Sequence, residues 1–491
     1  MLLKELLKDA QYTVIKGNIE KEVKDICYNS KEASSDKAFV AISGFIVDGH
    51  DYINDALDKG CKVIILENDK IDIPDDVTII KLDNTRIGLS KISRTLFGYP
   101  DKELTTVAIT GTKGKTTTSW IVKEILNLAS LECGYIGTIG VFYKDKGYDT
   151  VNTTPEAYDV FKYMREMINN GVKYLAMEVT SQALKLERFP EVMFDYGVFT
   201  NLSLDHVGKN EHESYEEYVY CKSKLFKQCK IGIFNSDDKE YKTMVKDFKG
   251  DIYTFGTNEE ASLRLVDYKN IVSPGFRGIE IATKGSINDR FKISSLGYFN
   301  AYNALCAISI CYLLGVSLDD IKNGLSHVYV KGRMNQINIS DKFDLFIDEA
   351  YQGVAMENVL KTIKETNPKR IVAVFGCGGN RSKQRRYDCG EVASKYADLS
   401  ILTADNPRYE DNNDIINDIL VGMKKNNGNY IIIPDRREAI KYSIVNAQEG
   451  DVILILGRGA EEYQEINGVR SPFNDEKVVR EIVNNLKEEY K

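Results

Sequence analysis

Short apolar runs recur along the chain, and between them apolar residues return every three or four positions. Up to residue 100 the runs are KAFVAI (37–42), KVIILEN (62–68) and VTIIKL (77–82), with the helical pattern DYINDALDKG (51–60) among them. Such runs predict buried strands, and the spaced pattern predicts amphipathic helices. Tyr99-Pro100 and then Thr105-Thr106 read as a linker into a second region. There VAIT (107–110) predicts a strand that runs into GTKGKTTT and a helix, SWIVKEILNLA (119–129). YLAMEV (174–179) and YGVFTNL (196–202) predict further strands, and AYNALCAISICYLLG (301–315) a helix. From 331 onward DLFID, RIVAVFG, LSILTA, NYIIIP and DVILILG alternate with helical stretches, and VVREIVNNLKEEYK predicts a terminal helix. Strands alternating with helices imply a parallel, doubly wound sheet, so this last part is read as Rossmann-like.

Length makes that division quantitative. A chain of 491 residues exceeds one core, and at ~100–200 residues per domain it holds about three. The expected boundaries are 1–100, 101–330 and 331–491, all of α/β class. The 65 basic and 73 acidic residues leave a net charge of −8, which argues against a general nucleic-acid binder. No window approaches the ~18 apolar residues of a membrane span. The opening MLLKELLKDAQ is charged throughout and lacks a signal peptide's apolar centre. Nine cysteines without a CxxC pair read as reduced thiols, so a cytoplasmic enzyme is expected.

The strongest chemical signal is Gly111-Thr112-Lys113-Gly114-Lys115-Thr116-Thr117, between a predicted strand and a predicted helix. Amide N–H groups of a glycine-rich turn at a helix N-terminus converge on phosphate oxygens. Lys115 would reach the β/γ-phosphates and the Thr116 hydroxyl would ligate Mg²⁺. The glycines stand two residues closer than in the general GxxxxGK[ST] pattern, and Thr110 with the strand completes the frame. This predicts ATP or GTP binding and is silent about a second substrate. Glu178 ends a predicted strand, where a carboxylate faces the ligand crevice and suits a second Mg²⁺ contact. Asp205-His206 follows another strand. Taken singly, Arg188, Lys222 and Arg333 read as surface charges.

In combination these segments resemble the Mur ligases, and within them the MurE branch, over essentially the whole chain. DICYNSKEASSDKAFVAISGFIVDGHDYI resembles the family's uridine-nucleotide domain, TGTKGKTTT its ATP loop and MEVTSQALKLERF its Glu-Val-Ser-Ser-His stretch. NLSLDHVG, YCKSKLF, GYFNAYNALCA, KGRMNQI, VFGCGGNR, TADNPR and GRGAEEYQ are similar to later family motifs, in order. The resemblance implies that Ser30, Lys31, Thr153, Thr154, Thr180 and Arg188 contact the UDP-sugar and its peptide. It implies that Asn300, Asn303, Arg333, Asp348 and Tyr351 join the ATP loop around the nucleotide. Metal ligands would be Thr116, Glu178, His206 and Lys222, the last as a CO₂-derived carbamate. Lys115, Lys222, His206 and Arg333 would be the catalytic set. Arg381, Asp405, Asn406, Arg408, Gly457 and Glu461 would hold the incoming amino acid.

The implied activity is ATP-dependent: a muramoyl dipeptide γ-carboxylate becomes an acyl phosphate, and an amine attacks it. Asp405-Asn-Pro-Arg408 is the family form that accompanies meso-diaminopimelate, because a fixed arginine pairs with that residue's extra carboxylate. L-Lysine, another amino acid, or a related amide ligase such as folylpolyglutamate synthase are the alternatives, as is a non-catalytic descendant. The expected protein is a cytoplasmic monomer acting on small molecules, without nucleic acid. Departures from the family pattern are Gln182, Asn335, Glu349, Tyr351, Asn380 and Ala460, together with two extra residues after His206.

Overall fold

The structure is a computed structural model that describes residues 1–44, 47–68, 73–204, 208, 212–273, 276–328 and 330–489. The chain packs as two compact units, residues 1–264 with 305–321, and residues 265–304 with 322–491. No helix among the described residues is long and apolar enough to cross a membrane.

The first unit begins with a five-stranded sheet in the order Thr13–Lys16, Thr78–Lys81, Val63–Leu66, Lys37–Val40, Asp25–Cys27. The first pair is antiparallel and the rest parallel. Side chains alternate across a strand. Accordingly Val63, Ile65 and Ile80 enter one apolar cluster while Ile64, Leu66 and Ile79 enter another. Both faces are covered, which is why these strands read as continuous apolar runs.

Six parallel strands of the next sheet lie in the order Asp251–Gly256, Cys229–Asn235, Phe194–Phe199, Thr105–Thr110, Tyr174–Glu178, Cys133–Gly137. Gly140–Tyr143 and Lys146–Tyr148 extend it antiparallel. The linker expected at Thr105-Thr106 is corrected here. Both residues belong to the strand, and Thr106 N donates to Asp195 Oδ2 at 2.8 Å. The true turn is Pro100–Lys102, entered by Tyr99 at φ +57°. The helix expected to start at Ser119 starts at Lys115, because Gly114 at φ +85° turns the chain straight into it. Thr116, Thr117 and Thr118 therefore form its buried first turn.

In the second unit the order is Asn335–Gln336, Asp344–Asp348, Asp451–Leu456, Arg370–Phe375, Leu399–Leu402, Tyr430–Ile432. All pairs but the first are parallel. Alternation again divides the core: Ala373, Phe375, Leu454 and Leu456 face one cluster, and Val372, Val374, Ile453 and Ile455 the other. Helices Gly353–Lys364, Lys383–Tyr396, Asn412–Met423 and Arg436–Val445 connect the strands. Two begin at aspartates whose side chains accept backbone N–H groups, Asp411 from Asn413 and Asp435 from Glu438.

Candidate active site

In the first unit, the loops leaving the carboxyl ends of three adjacent parallel strands form one crevice. The phosphate loop follows Thr110, Glu178 ends its neighbour on one side, and Thr200-Asn201 follows Phe199 on the other. The loop is held from behind. Thr112 N donates to Asn201 O at 2.8 Å and Lys113 N to Asn201 Oδ1 at 3.0 Å. Thr200 Oγ1 donates to Lys113 O at 2.8 Å. Gly111, at φ +148°, lies so close that a Cβ there would stand 1.9 Å from Thr200 Oγ1. Only glycine fits.

Two lysines meet on this loop. Lys115 Nζ donates to Gly111 O at 2.8 Å and to Thr112 O at 3.1 Å. Lys222 is 2% exposed on the helix Tyr215–Ser223, and its Nζ donates to the same Gly111 O at 2.9 Å, above the Tyr218 ring. The neighbouring Lys224 is paired instead with Glu187 at 3.7 Å.

Glu178 is fully buried and ringed by donors. Oε1 accepts from Tyr135 OH at 2.5 Å and Thr138 N at 2.9 Å. Oε2 accepts from Thr116 Oγ1 at 3.0 Å and Thr138 Oγ1 at 3.2 Å. Thr116 and Glu178, sixty-two residues apart in the chain, are thus one unit. Their hydroxyl and carboxylate oxygens are the hard donor set that Mg²⁺ takes. His206, with Asp205 beside it, lies outside the described residues.

Thr154 continues the crevice: its Oγ1 donates to Glu178 O at 2.9 Å and accepts from Thr180 N at 3.0 Å. Thr153 Oγ1 lies 3.1 Å from Thr138 Oγ1, and Thr180 caps the helix Ser181–Lys185. Arg188 is 6% exposed and donates from Nη1 to Thr154 O at 2.5 Å. Ser30 and Lys31 lie in a single helical turn shortly after the strand Asp25–Cys27, capped by Asn29.

Sequence reasoning missed Tyr135, Thr138 and His212. His212 is buried, with Nε2 2.9 Å from Ser181 Oγ and Nδ1 3.7 Å from Glu217. His212, Glu217 and Cys221 bring possible metal-binding atoms within 4.8 Å of one another. Glu217, however, is committed to Lys185 at 2.8 Å and to Glu213 N at 2.7 Å. The group pins the helix that carries Lys222.

In the second unit Asp348, Arg381, Asp405, Arg408 and Gly457 lie at or just beyond the carboxyl ends of its own parallel strands. Asp348 is buried, and its carboxylate accepts from Met334 N at 2.7 Å and Ala350 N at 2.8 Å. Burial pushes its pKa up to about 6, against the opposing pull of Arg333. Arg333 pairs with Glu349 at 2.6 Å. Tyr351 is half exposed beneath the Arg385 guanidinium. On the helix Tyr298–Leu313, Asn300 Nδ2 donates to Leu296 O at 2.8 Å and Asn303 Nδ2 to Asn300 Oδ1 at 2.9 Å.

The loops 376–381, 403–408 and 457–461 meet around Asn406. Its Nδ2 donates to Glu461 Oε2 at 2.7 Å, and its Oδ1 accepts from Arg458 Nη1 at 2.9 Å and Glu465 N at 2.8 Å. Arg458 is 1% exposed and so acts as a buried strut. Asp405 is buried with its pKa raised by desolvation, and Gly457 at φ +109° leaves room for its Oδ2. Burial, then the Asp405 charge, raises Glu461 to about 6. Arg408 Nη1 donates to Gly379 O at 2.6 Å, and Arg408 and Arg381 both approach the point where a Cβ of Gly378 would stand. Asn380 sits at φ +54°, a conformation asparagine tolerates well.

Three family models match in order: "Mur ligase family, catalytic domain" over 22–94, "Mur ligase middle domain" over 109–311 and "Mur ligase, glutamate ligase domain" over 332–459. A UDP-N-acetylmuramoyl-L-alanyl-D-glutamate–2,6-diaminopimelate ligase of Caldanaerobacter subterraneus subsp. tengcongensis is 39% identical, covering 98% of this chain and 99% of that one. A Clostridium perfringens protein of the same name is 38% identical, with 98% and 99% covered. A solved structure titled as such a ligase aligns with TM-score 0.69 and 26% identity over 99% of both chains.

Proposed function

The chain belongs to the Mur ligase family, and from that premise we propose that it joins 2,6-diaminopimelate to UDP-N-acetylmuramoyl-L-alanyl-D-glutamate at the expense of ATP. It is an ATP-dependent acid–amino-acid ligase of peptidoglycan precursor synthesis with the three-domain α/β architecture of that family. The observation that carries the reading is the Thr116–Glu178 hydrogen bond, which joins the phosphate loop to a buried carboxylate.

A carboxylate does not react with an amine at neutral pH because oxide is a poor leaving group. Transfer of the γ-phosphoryl group to the dipeptide's γ-carboxylate supplies a better one, and the amine then displaces phosphate. Two anions must approach in the first step. Lys115 at the loop and Arg333 are the cations this reading assigns to them, since preorganised charge is worth most in a site that excludes water. Thr116 and Glu178 are the described residues that would hold Mg²⁺, with His206 as a further ligand. When bound, the ion neutralises phosphate charge and aligns the oxygens.

Lys222 is the remaining expected ligand. Two ammonium groups donating to one buried carbonyl repel each other strongly. Addition of CO₂ to Lys222 Nζ replaces that repulsion with an anion beside Lys115, which supports the carbamate assignment. For the incoming amino acid, Arg408 and Arg381, both beside Gly378, suit a carboxylate, and Glu461 with Asp405 suits an ammonium. We place the enzyme in the cytoplasm as a monomer, which size-exclusion chromatography with light scattering tests.

The deciding experiment is ADP release with UDP-muramoyl dipeptide across a panel of amino acids. Release with meso-diaminopimelate, at least ~10²-fold above L-lysine in kcat/KM, is expected, since one partner of a buried charge pair would otherwise stay unpaired. Equal use of lysine, or no release at all, defeats the proposal.

A further inference from the structure

Arg86, in the first turn of the helix Thr85–Leu96, is 9% exposed. Its Nη1 donates to Glu156 Oε1 at 2.8 Å and its Nη2 to Ser43 O at 3.0 Å. Arg188 Nη2 donates to the same Glu156 oxygen at 2.8 Å. Two guanidinium groups thus share one carboxylate oxygen in a largely buried triad of net charge +1. Its remaining capacity is unused: Glu156 Oε2 and Arg188 Nε are buried without a hydrogen-bond partner.

The other carboxylates nearby have partners of their own. Asp159 is engaged by Tyr28 OH at 2.5 Å, and burial raises its pKa. Asp25 is engaged by Tyr158 OH at 3.0 Å and by Lys37 at 3.3 Å. Burial also works against the Arg188 charge, with only Glu156 close enough to oppose it strongly. A buried, uncompensated cation with a donor to spare is a site built for an anion. Glu156 follows directly on Thr153, Thr154 and Pro155, and Thr154 O accepts the other Arg188 nitrogen. The triad therefore fixes the segment assigned above to the peptide part of the substrate.

We propose that Arg86 is a positioning residue: acting through Glu156, it holds Arg188 as a fixed cation for the substrate carboxylate that is not phosphorylated. This rests on the proposed dipeptide substrate, whose terminal glutamate carries two carboxylates of which one reacts. Without Arg86, Glu156 is free to neutralise Arg188 bidentately and the site loses its excess charge.

The test is calorimetric binding and steady-state turnover of the full-length protein, using UDP-muramoyl dipeptide and its analogue with the non-reacting carboxylate amidated. Wild type is expected to bind the carboxylate form at least tenfold more tightly. Arg86→Met should raise KM for the dipeptide tenfold or more, with kcat and KM for ATP within twofold, and should erase the preference over the amide. Arg86→Lys should recover part of that preference, because it keeps a charge near Glu156. Binding of UDP alone should be unchanged in both variants, which separates a folding defect from the proposed role. An unchanged preference in Arg86→Met, or no preference in wild type, overturns the inference. Wild type that binds the dipeptide with this preference yet releases no ADP overturns the ligase reading and leaves the triad standing.

Discussion

The phosphate loop of the first unit and the amino-acid loops of the second both leave the carboxyl ends of parallel strands, yet they are built from different materials. Around the phosphate loop the backbone is the main partner. Lys115 and Lys222 rest on the Gly111 carbonyl, Thr112 N and Lys113 N are held by Asn201, and Thr138 N donates to Glu178. Around Asn406 side chains from distant segments join the backbone N–H of Glu465, and its links to Arg458 and Glu461 span fifty-two and fifty-five residues of chain. The difference follows from the ligands. A triphosphate always has the same shape and charge, so fixed amides and one lysine suffice. Choosing one amino acid among many needs side chains whose charge and reach can be changed one at a time.

The sharpest way to break this comparison is at the loop. Lys115→Ala should lower ADP formation by about 10²-fold or more, the usual cost of removing a preorganised charge at a transferring phosphoryl group. Circular dichroism should be unchanged, because Lys115 Nζ donates to carbonyls of its own loop, which stays fixed through Thr112, Lys113 and Asn201. Near-normal turnover would remove the loop from the chemistry.

Lys222→Ala should be nearly as inactive, for a different reason. A short-chain carboxylate added to the assay should restore part of the rate by supplying the missing carbamate oxygen. The variant of Lys224, which pairs with Glu187, should respond to neither. Full activity of Lys222→Ala at ordinary Mg²⁺ would rule out the carbamate and leave Lys222 as a buried loop support.

In the second unit Arg408→Ala should leave the phosphate chemistry intact and act on selection. Preference for meso-diaminopimelate over L-lysine should fall by roughly 10²-fold, as a carboxylate loses its bidentate partner. Arg408 also supports Gly379 O, so Arg408→Lys keeps a donor there while losing the fork. Retained preference in both variants would move selection to Arg381 or to the Glu461 side.

The same contrast explains what was legible in the sequence. Strands buried on both faces read as apolar runs, and four of the five parallel strands of the second unit were recognisable as such, while Tyr430–Ile432 reads as an apolar run although it is largely exposed. The loop was legible because glycines, lysine and threonine are adjacent in sequence and their geometry is local. Glu178 was visible as a strand end, but Tyr135 and Thr138 were not. They come from a neighbouring strand and its turn, and nothing in CGYIGT marks a hydroxyl aimed at a carboxylate. Nothing around Arg458 in the sequence marked it as the strut of Asn406, because that contact joins residues fifty-two apart. The turn at Tyr99-Pro100 was legible, but the linker's extension to Thr105-Thr106 was not, because threonine suits both an edge and a strand and only pairing with Asp195 decides it.

The smallest expected effect concerns the charge of the second unit. Asp348 has its carboxyl raised from 3.8 to about 6, mainly by burial. An acid whose folded pKa lies above its unfolded value holds its proton more tightly when folded. Its contribution is therefore complete below about pH 4 and is lost as pH rises toward 6, with no further change above. A shift of about 2 units corresponds to roughly 3 kcal/mol over the whole window, or about 1.4 kcal/mol per pH unit inside it. Asp348→Asn lacks the titration, although it replaces one of two acceptors for Met334 N and Ala350 N with a donor and so starts from a lower stability. The melting temperature of wild type should therefore fall relative to that of Asp348→Asn between about pH 5 and pH 6 and run parallel to it from about pH 6.5 upward. The phosphate loop offers the internal control: Thr116→Ser keeps the hydroxyl on Glu178 and should track wild type at every pH. A gap between wild type and Asp348→Asn that stays constant across the window would show that Asp348 is ionised throughout. The two N–H donors would then outweigh its burial, as the backbone does at the phosphate loop.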